Sequence, residues 1–145
     1  MIDRLEKKPL LVVSIIIVAF VATSTFLWIG LPALSPCANT QGTQRFITIT
    51  ADLNGYNGSK LQGGMGPLMT ASRCDTITIN LVNKDQTLQT HGLSVTFYAL
   101  NGIEALGGDT AKVTFVAVKA GVFQVYCNVF CTVHNSMQNG LLSVT

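Results

Sequence analysis

The hydrophobic and polar positions fall into two regions, and the first is a long apolar segment near the N-terminus. No Asp, Glu, Lys or Arg occurs in residues 9–44, and residues 10–31 are almost wholly apolar. A helix needs about 20 such residues to cross the hydrocarbon core of a bilayer. Pro32 follows directly and cannot continue a helix. The pattern predicts one transmembrane helix over residues 10–31, after a short N-terminal segment of residues 1–9.

The basic residues that flank this segment predict its orientation. Arg4, Lys7 and Lys8 precede it, and the next basic residue is Arg45. Because basic flanks stay on the cytoplasmic side, we expect a single-pass protein of the cell membrane with a cytoplasmic N-terminus. A cleaved signal peptide is the alternative, although its apolar region is usually only about 7–15 residues long. Both interpretations place the later residues outside the cytoplasm.

The second region has short β-rich segments and begins after a polar linker at residues 32–44. Apolar and polar positions alternate over short stretches that Gly, Asn and Asp interrupt, a pattern typical of half-buried strands. Several such strands at close spacing predict an all-β sandwich or small barrel over residues 45–145. The candidate strands are residues 45–53, 76–83, 93–99, 111–118, 122–126 and 141–145.

Composition narrows the possible partners. Charged residues make up 11% of the chain and hydrophobic residues 48%, whereas a soluble domain has about 25% charged residues. We therefore expect part of the chain to lie in lipid or against partner proteins. The net charge of +2 and the lack of a basic run after the apolar segment argue against nucleic acid as a partner.

Candidate metal ligands are concentrated near the C-terminus. Cys127, Cys131, His134 and Met137 lie within eleven residues, and soft to borderline ligands of this kind favour copper. The other histidine of the chain, His91, precedes a candidate strand, and a sheet end there would meet the C-terminal loop. No acid–base pair or activated nucleophile accompanies these residues, which indicates electron transfer rather than the making of bonds.

Cysteine pairing is the structural alternative to metal binding. In an oxidising space, Cys127 and Cys131 are also candidates for a disulfide. Cys37 and Cys74 have no His or Met beside them, so both a disulfide between them and two separate thiols stay open.

The ligand segment resembles the copper-binding loop of cytochrome c oxidase subunit II. The resemblance covers residues 121–144, GVFQVYCNVFCTVHNSMQNGLLSV, with Cys-x3-Cys followed by His-x2-Met. Thr-His-Gly at residues 90–92 and the predicted single N-terminal anchor also match. The resemblance implies a cupredoxin-like Greek-key β-sandwich, preceded by one transmembrane α-helix, with a binuclear CuA centre of two copper ions.

The resemblance also implies a role for each ligand. Cys127 and Cys131 would each bridge both copper ions. His91 would bind one copper and His134 the other. The thioether of Met137 and the main-chain carbonyl of Val129 would be weak ligands.

The function that the resemblance implies is that of the electron-accepting subunit of a haem-copper terminal oxidase. The chain would take electrons from an extracytoplasmic donor, a cytochrome c or a cupredoxin, and pass them to the haem-bearing subunit I. Its partners would be subunit I, other oxidase subunits and the membrane, and oxygen would be reduced in the partner subunit rather than in this chain.

The spacing of the ligands departs from the family pattern at one point. Two residues, Thr132 and Val133, separate Cys131 from His134, where the family has three. Cys-x2-His-x2-Met also resembles the ligand loops of mononuclear blue-copper proteins, so one copper held by Cys131, the two histidines and the methionine stays open. The alternative functions are a free-standing membrane-anchored copper carrier, a copper chaperone, or an accessory subunit with a vestigial site.

Overall fold

The structure is a computed structural model, and it describes Ser14, residues 16–21 and residues 36–145. The chain separates into two units, Met1–Thr40 and Gln41–Thr145. Most of the predicted transmembrane segment, residues 10–31, lies outside the described residues, so the anchor, its orientation and the signal-peptide alternative stay predictions. Within the described part of the chain, no helix has the length and apolar character that a membrane crossing requires.

The second unit is a sandwich of two β-sheets, which confirms the predicted all-β class. In chain order its strands are β1 Gln44–Asp52, β2 Gly55–Tyr56, β3 Leu68–Ala71, β4 Thr76–Asn83, β5 His91–Val95, β6 Ala99–Ala105, β7 Thr110–Val116, β8 Gly121–Tyr126 and β9 Gly140–Val144. Two short 3₁₀ helices lie at Ser59–Gln62 and His134–Met137. One sheet has the order β2-β1-β4-β7, and the other has the order β3-β9-β8-β5-β6.

Two parallel strand pairs give the sandwich its connectivity. β1 pairs in parallel with β4, and β3 pairs in parallel with β9, whereas the other paired strands run antiparallel. Parallel neighbours cannot be joined by a tight hairpin. The chain therefore leaves one sheet and returns to it, which brings strands from distant parts of the sequence side by side.

Alternating apolar residues fill the space between the sheets. Ile77, Ile79 and Leu81 of β4 have no exposed surface, and Leu93 and Val125 of the facing sheet are equally buried. Alternate side chains of a strand point to the same face of its sheet, so these residues pack in one core. Three of the predicted copper ligands belong to the same buried cluster: Cys127, Cys131 and Met137.

The structure corrects the predicted strand at residues 93–99. This segment contains the end of β5 and the start of β6, joined by a tight turn in which Phe97 has a φ of 72°. Asn101 and Gly102, residue types that often interrupt strands, lie inside β6. Gly102 has a φ of 63°, and a Cβ atom there would lie 2.7 Å from the carbonyl oxygen of Leu93. A close approach between β5 and β6 therefore requires glycine at this position.

The register of β5 brings two distant segments together. His91 is the first residue of β5 and pairs with Ala105 of β6. On the other side of β5, Ser94 pairs with Tyr126, the last residue of β8. Because β5 and β8 are antiparallel, the segment that follows β8 runs beside the start of β5. This is the end of the sandwich at which the candidate ligands meet.

Asp75 joins the segments that precede β1 and β4. Its carboxylate pairs with Arg45 and accepts hydrogen bonds from the amides of Ser72 and Thr43, both at 2.8 Å. These bonds lower the pKa of the Asp75 carboxyl from 3.8 to about 2, although burial opposes the shift.

We predict that Asp75→Asn destabilises the protein at neutral pH and that the difference from wild type shrinks in acid. Because the pKa of Asp75 is depressed in the folded state, its contribution is fully present above its unfolded pKa of about 4 and is lost as the pH falls towards 2. Urea unfolding of the full-length chain between about pH 2 and 7 measures the difference. Asp109→Asn, at an exposed position, is the control. Parallel pH curves for wild type and Asp75→Asn would contradict the assignment.

Candidate metal centre

Three of the predicted ligand side chains converge at this end of the sandwich. The ligand atoms of His91, Cys127 and Cys131 lie within 4.8 Å of one another, and all three residues are buried. Met137 is fully buried beside them, with its Sδ atom 3.8 Å from Sγ of Cys131. One imidazole and three sulfur atoms therefore share one apolar, water-poor space.

Local hydrogen bonds fold the segment between β8 and β9 into a compact loop. Cys127 directly follows β8, and its amide donates to the carbonyl oxygen of Met137 at 2.9 Å. The amide of His134 donates to the carbonyl oxygen of Cys131 at 3.2 Å, and the 3₁₀ helix His134–Met137 begins there. The short spacing between Cys131 and His134 is thus a tight turn into a helix that returns Met137 to Cys127.

His91 has one nitrogen bonded to a carboxylate and one nitrogen left over. Its Nε2 atom lies 3.0 Å from Oδ2 of Asp85, and both side chains have no exposed surface. Its Nδ1 atom is buried without a hydrogen-bond partner, which is the case for no other buried side-chain nitrogen or oxygen atom in the described part of the chain. A buried polar atom without a partner is costly. Nδ1 is therefore the atom available to bind a metal.

The two thiols of the cluster have different acidities. Burial works to raise the pKa of Cys127, but the neighbouring His91 ring and the Gly92 amide, which donates to Sγ at 3.4 Å, lower it to about 7. Burial and the nearby Cys127 raise the pKa of Cys131 to about 11. Both thiols are free, which contradicts the alternative of a disulfide between them. Cys37 and Cys74, in contrast, are not free thiols, which contradicts the alternative of two separate thiols.

The two remaining predicted ligands, Val129 and His134, lie next to each other at the edge of the cluster. The carbonyl oxygen of Val129 is 3.1 Å from Sγ of Cys127 and 3.0 Å from Nδ1 of His134. The other ring nitrogen of His134 is 3.2 Å from Nε2 of Gln138. His134 is half-buried and lies outside the set of three ligand atoms that meet within 4.8 Å. Its role as a ligand stays a prediction.

Several polar residues around the cluster could not be predicted from the sequence. Gln89 accepts hydrogen bonds through Oε1 from the amide and the hydroxyl of Thr132, at 3.1 and 3.0 Å. The buried hydroxyl of Tyr56 donates to the carbonyl oxygen of Gly92, and burial raises the pKa of this phenol well above its ordinary value. Polar residues between two strands signal a loop, but no local pattern showed that this loop contacts the cysteines.

The donor set fits a copper ion. Thiolates, a thioether and imidazoles are the ligands that copper prefers, and hard ions such as Mg²⁺ or Ca²⁺ prefer oxygen ligands. In this cluster the one buried carboxylate, Asp85, bonds to His91. The unpartnered Nδ1 atom of His91 and the two free thiols would hold the metal directly.

Comparison with known proteins relates part of the chain to nitrous-oxide reductases. The enzyme of Ralstonia nicotianae is 39% identical over 70 residues, which are 47% of this chain and 11% of the reductase. The enzyme of Cupriavidus necator is 40% identical over 70 residues, with the same coverage of 47% and 11%. The chain thus spans only a small part of these relatives. No protein-family profile matches it.

Comparison with solved structures identifies the fold. A copper nitrite reductase from Nitrosomonas europaea matches 70% of this chain and 41% of its own, with a TM-score of 0.58 and 20% identity. Auracyanin from Roseiflexus castenholzii matches 72% of this chain and 99% of its own, with a TM-score of 0.53 and 18% identity. The described domain is therefore a cupredoxin-like β-sandwich, as the sequence resemblance implied. At these identities the likeness concerns the fold alone.

We predict that Gln89→Ala loosens the ligand loop without unfolding the domain. The variant removes both hydrogen bonds to Thr132, and one such bond is worth about 1 kcal/mol, or about fivefold in an opening equilibrium. Amide hydrogen exchange of Thr132 is expected to accelerate by at least about that factor. Gln86→Ala is the control, at an exposed position of the loop between β4 and β5 that also contains Gln89. It should leave the hydrogen exchange of Thr132 unchanged. Equal exchange in the two variants would show that Gln89 does not hold the loop.

Proposed function

We propose that this domain transfers electrons through copper bound in the cluster of His91, Cys127, Cys131 and Met137. The observation that carries the proposal is the convergence of the imidazole and the two thiols within 4.8 Å, with one ring nitrogen left unpartnered. Copper would supply a reversible change of one electron. The chain would hold the ligands at the end of two paired strands and exclude water from them, since rigid and dry surroundings keep structural change small.

We further propose that the centre is binuclear, of the CuA type. Both thiols belong to one cluster, and both are buried. A single copper with Cys131 as its thiolate would leave Cys127 as a buried, unused thiol, although its pKa of about 7 makes it the more acidic of the pair. A pair of copper ions would use both sulfurs as ligands. The remaining proposed ligands are His134 and the carbonyl oxygen of Val129, which already lies 3.1 Å from Sγ of Cys127.

The copper number is tested by electron paramagnetic resonance of the copper-loaded full-length chain. We expect a purple protein whose mixed-valence signal shows hyperfine splitting from two equivalent coppers. Cys127→Ser and Cys131→Ser should each abolish this signal because each would remove a bridge. Asn128→Ser introduces the same side chain at an exposed position of the same loop and should preserve it. A blue or green wild-type protein with splitting from one copper would contradict the binuclear centre.

For the role in the cell, we propose the electron-accepting subunit II of a haem-copper terminal oxidase. The ligand spacing, the Thr-His-Gly segment before β5 and the predicted N-terminal anchor support this proposal. The partners would be the haem-bearing subunit I, other oxidase subunits and an extracytoplasmic donor. The 70 residues shared with nitrous-oxide reductases favour a second candidate, a domain that supplies electrons to a reductase of that kind.

Isolation of the tagged chain from its native membranes separates these roles. We expect solubilisation in mild detergent to recover a haem-bearing, many-helix subunit, detected by its haem absorption, together with oxygen consumption. A copper-loaded chain recovered alone would instead indicate a free-standing carrier. Rapid loss of copper to a mild chelator would indicate a chaperone, and a haem complex without copper in this chain would indicate a vestigial site. Recovery with a nitrous-oxide-reducing partner would support the second candidate.

A further inference from the structure

The loop between β4 and β5 contains a buried carboxylate that the electron-transfer proposal does not use as a ligand. Asp85 has no exposed side-chain surface, and in the described part of the chain its ion-pair partner is His91. An isolated buried charge is expensive unless it is paired or hydrogen-bonded. A carboxylate buried at this position therefore needs hydrogen-bond partners, and its contacts show which groups these are.

Every contact of the Asp85 carboxylate is with a hydrogen-bond donor. Oδ1 accepts from the amide of Thr87 at 2.7 Å and from its hydroxyl at 2.6 Å. Oδ2 lies 3.0 Å from Nε2 of His91. An ionised carboxylate only accepts hydrogen bonds, so Nε2 of His91 carries the hydrogen in this pair. The hydrogen of the neutral ring is then absent from Nδ1.

The loop itself is held in place by a third side chain. Oδ1 of Asn83 accepts from the amide of Asp85 at 2.9 Å, and Nδ2 of Asn83 donates to the carbonyl oxygens of Gln89 at 2.7 Å and Ala105 at 2.9 Å. Asn83 is buried. These bonds tie the loop to the end of β4 and to β6, so the carboxylate meets His91 in one orientation.

We propose that Asp85 is the positioning residue of the copper centre: it holds the hydrogen of His91 on Nε2 and thereby keeps Nδ1 as an unprotonated ligand atom beside Cys127 and Cys131. The inference rests on the proposed function for the identity of the metal. The bonding of Asp85 to His91 and the unpartnered Nδ1 atom do not depend on it. Carboxylates that bond to a metal-binding histidine in this way orient the ring and set its tautomer.

Asp85→Asn tests the proposal because an amide cannot satisfy the same three donors. With its single oxygen kept by Thr87, the NH₂ group of the asparagine faces Nε2 of His91 and turns that atom into an acceptor. The hydrogen then moves to Nδ1. Thr87→Val is a milder second variant at an exposed position. It removes the hydroxyl bond to Asp85 and the bond that this hydroxyl accepts from Nε2 of Gln89 at 3.0 Å, and it keeps the amide bond to Asp85. Asp109→Asn is the matched control for the charge change.

The first measurement uses the copper-free full-length chain. The chain has two histidines, so a sample labelled with ¹⁵N in histidine gives four ring-nitrogen signals. We expect Nε2 of His91 to keep its hydrogen in wild type, in Thr87→Val and in Asp109→Asn, and to lose it in Asp85→Asn. Circular dichroism confirms that each variant is folded. A wild-type ring with its hydrogen on Nδ1 would overturn the proposal.

The second measurement is the affinity for Cu(I), by competition with a chelator of known strength. Loss of such an outer contact costs about 10- to 100-fold in metal affinity, so we expect a loss of that size in Asp85→Asn and a smaller one in Thr87→Val. If Asp85→Asn folds but keeps both the tautomer and the wild-type affinity, the proposal is overturned. If wild type binds no copper, the proposed function fails, and the tautomer measurement still decides the role of Asp85.

Discussion

The antiparallel pairing of β5 with β8 is the constraint on which the candidate metal centre depends. His91 begins β5 and Cys127 follows β8, so the register between these strands sets the separation of the ring from the sulfur. A slip of one residue would exchange the inward and outward faces of a strand. Such a slip would move either the imidazole of His91 or the thiol of Cys127 away from the cluster. β5 contains no other histidine that could replace His91.

The hydrophobic core maintains this register. Leu93 and Val95 of β5 and Val125 of β8 have no exposed surface, and a slip would replace Val125 in the core with the exposed Gln124. Cys127, Cys131 and Met137 belong to the same cluster of buried residues. The site is therefore an extension of the core rather than a surface loop with ligands attached. Burial excludes water from the sulfurs, and it also makes the unpartnered Nδ1 atom of His91 costly until a ligand satisfies it.

Local patterns in the sequence predicted those parts of the molecule that local chemistry determines. β4 occupies residues 76–83 as predicted because apolar and polar residues alternate from Thr76 to Leu81. The segment at residues 93–99 was misread because its turn contains neither Gly nor Pro, and Phe97 instead adopts a left-handed conformation. The cysteines and Met137 share one short segment and were recognised together. Tyr56 and Asp85 were not, because their relation to the cluster arises only when distant strands pair.

The shortened spacing after Cys131 illustrates how the loop accommodates one residue fewer than the copper-binding loop that it resembles in sequence. The turn closed by the His134 amide leads directly into the 3₁₀ helix, and Met137 still returns to within 3.8 Å of Cys131. The ring of His134 lies beside this turn, with its Nδ1 atom 3.0 Å from the carbonyl oxygen of Val129. The sulfur atoms of the proposed centre thus stay together. For Nδ1 of His134 to join them as a ligand, its hydrogen bond to Val129 must be exchanged for a bond to the metal, because one nitrogen lone pair cannot serve a hydrogen and a metal at once.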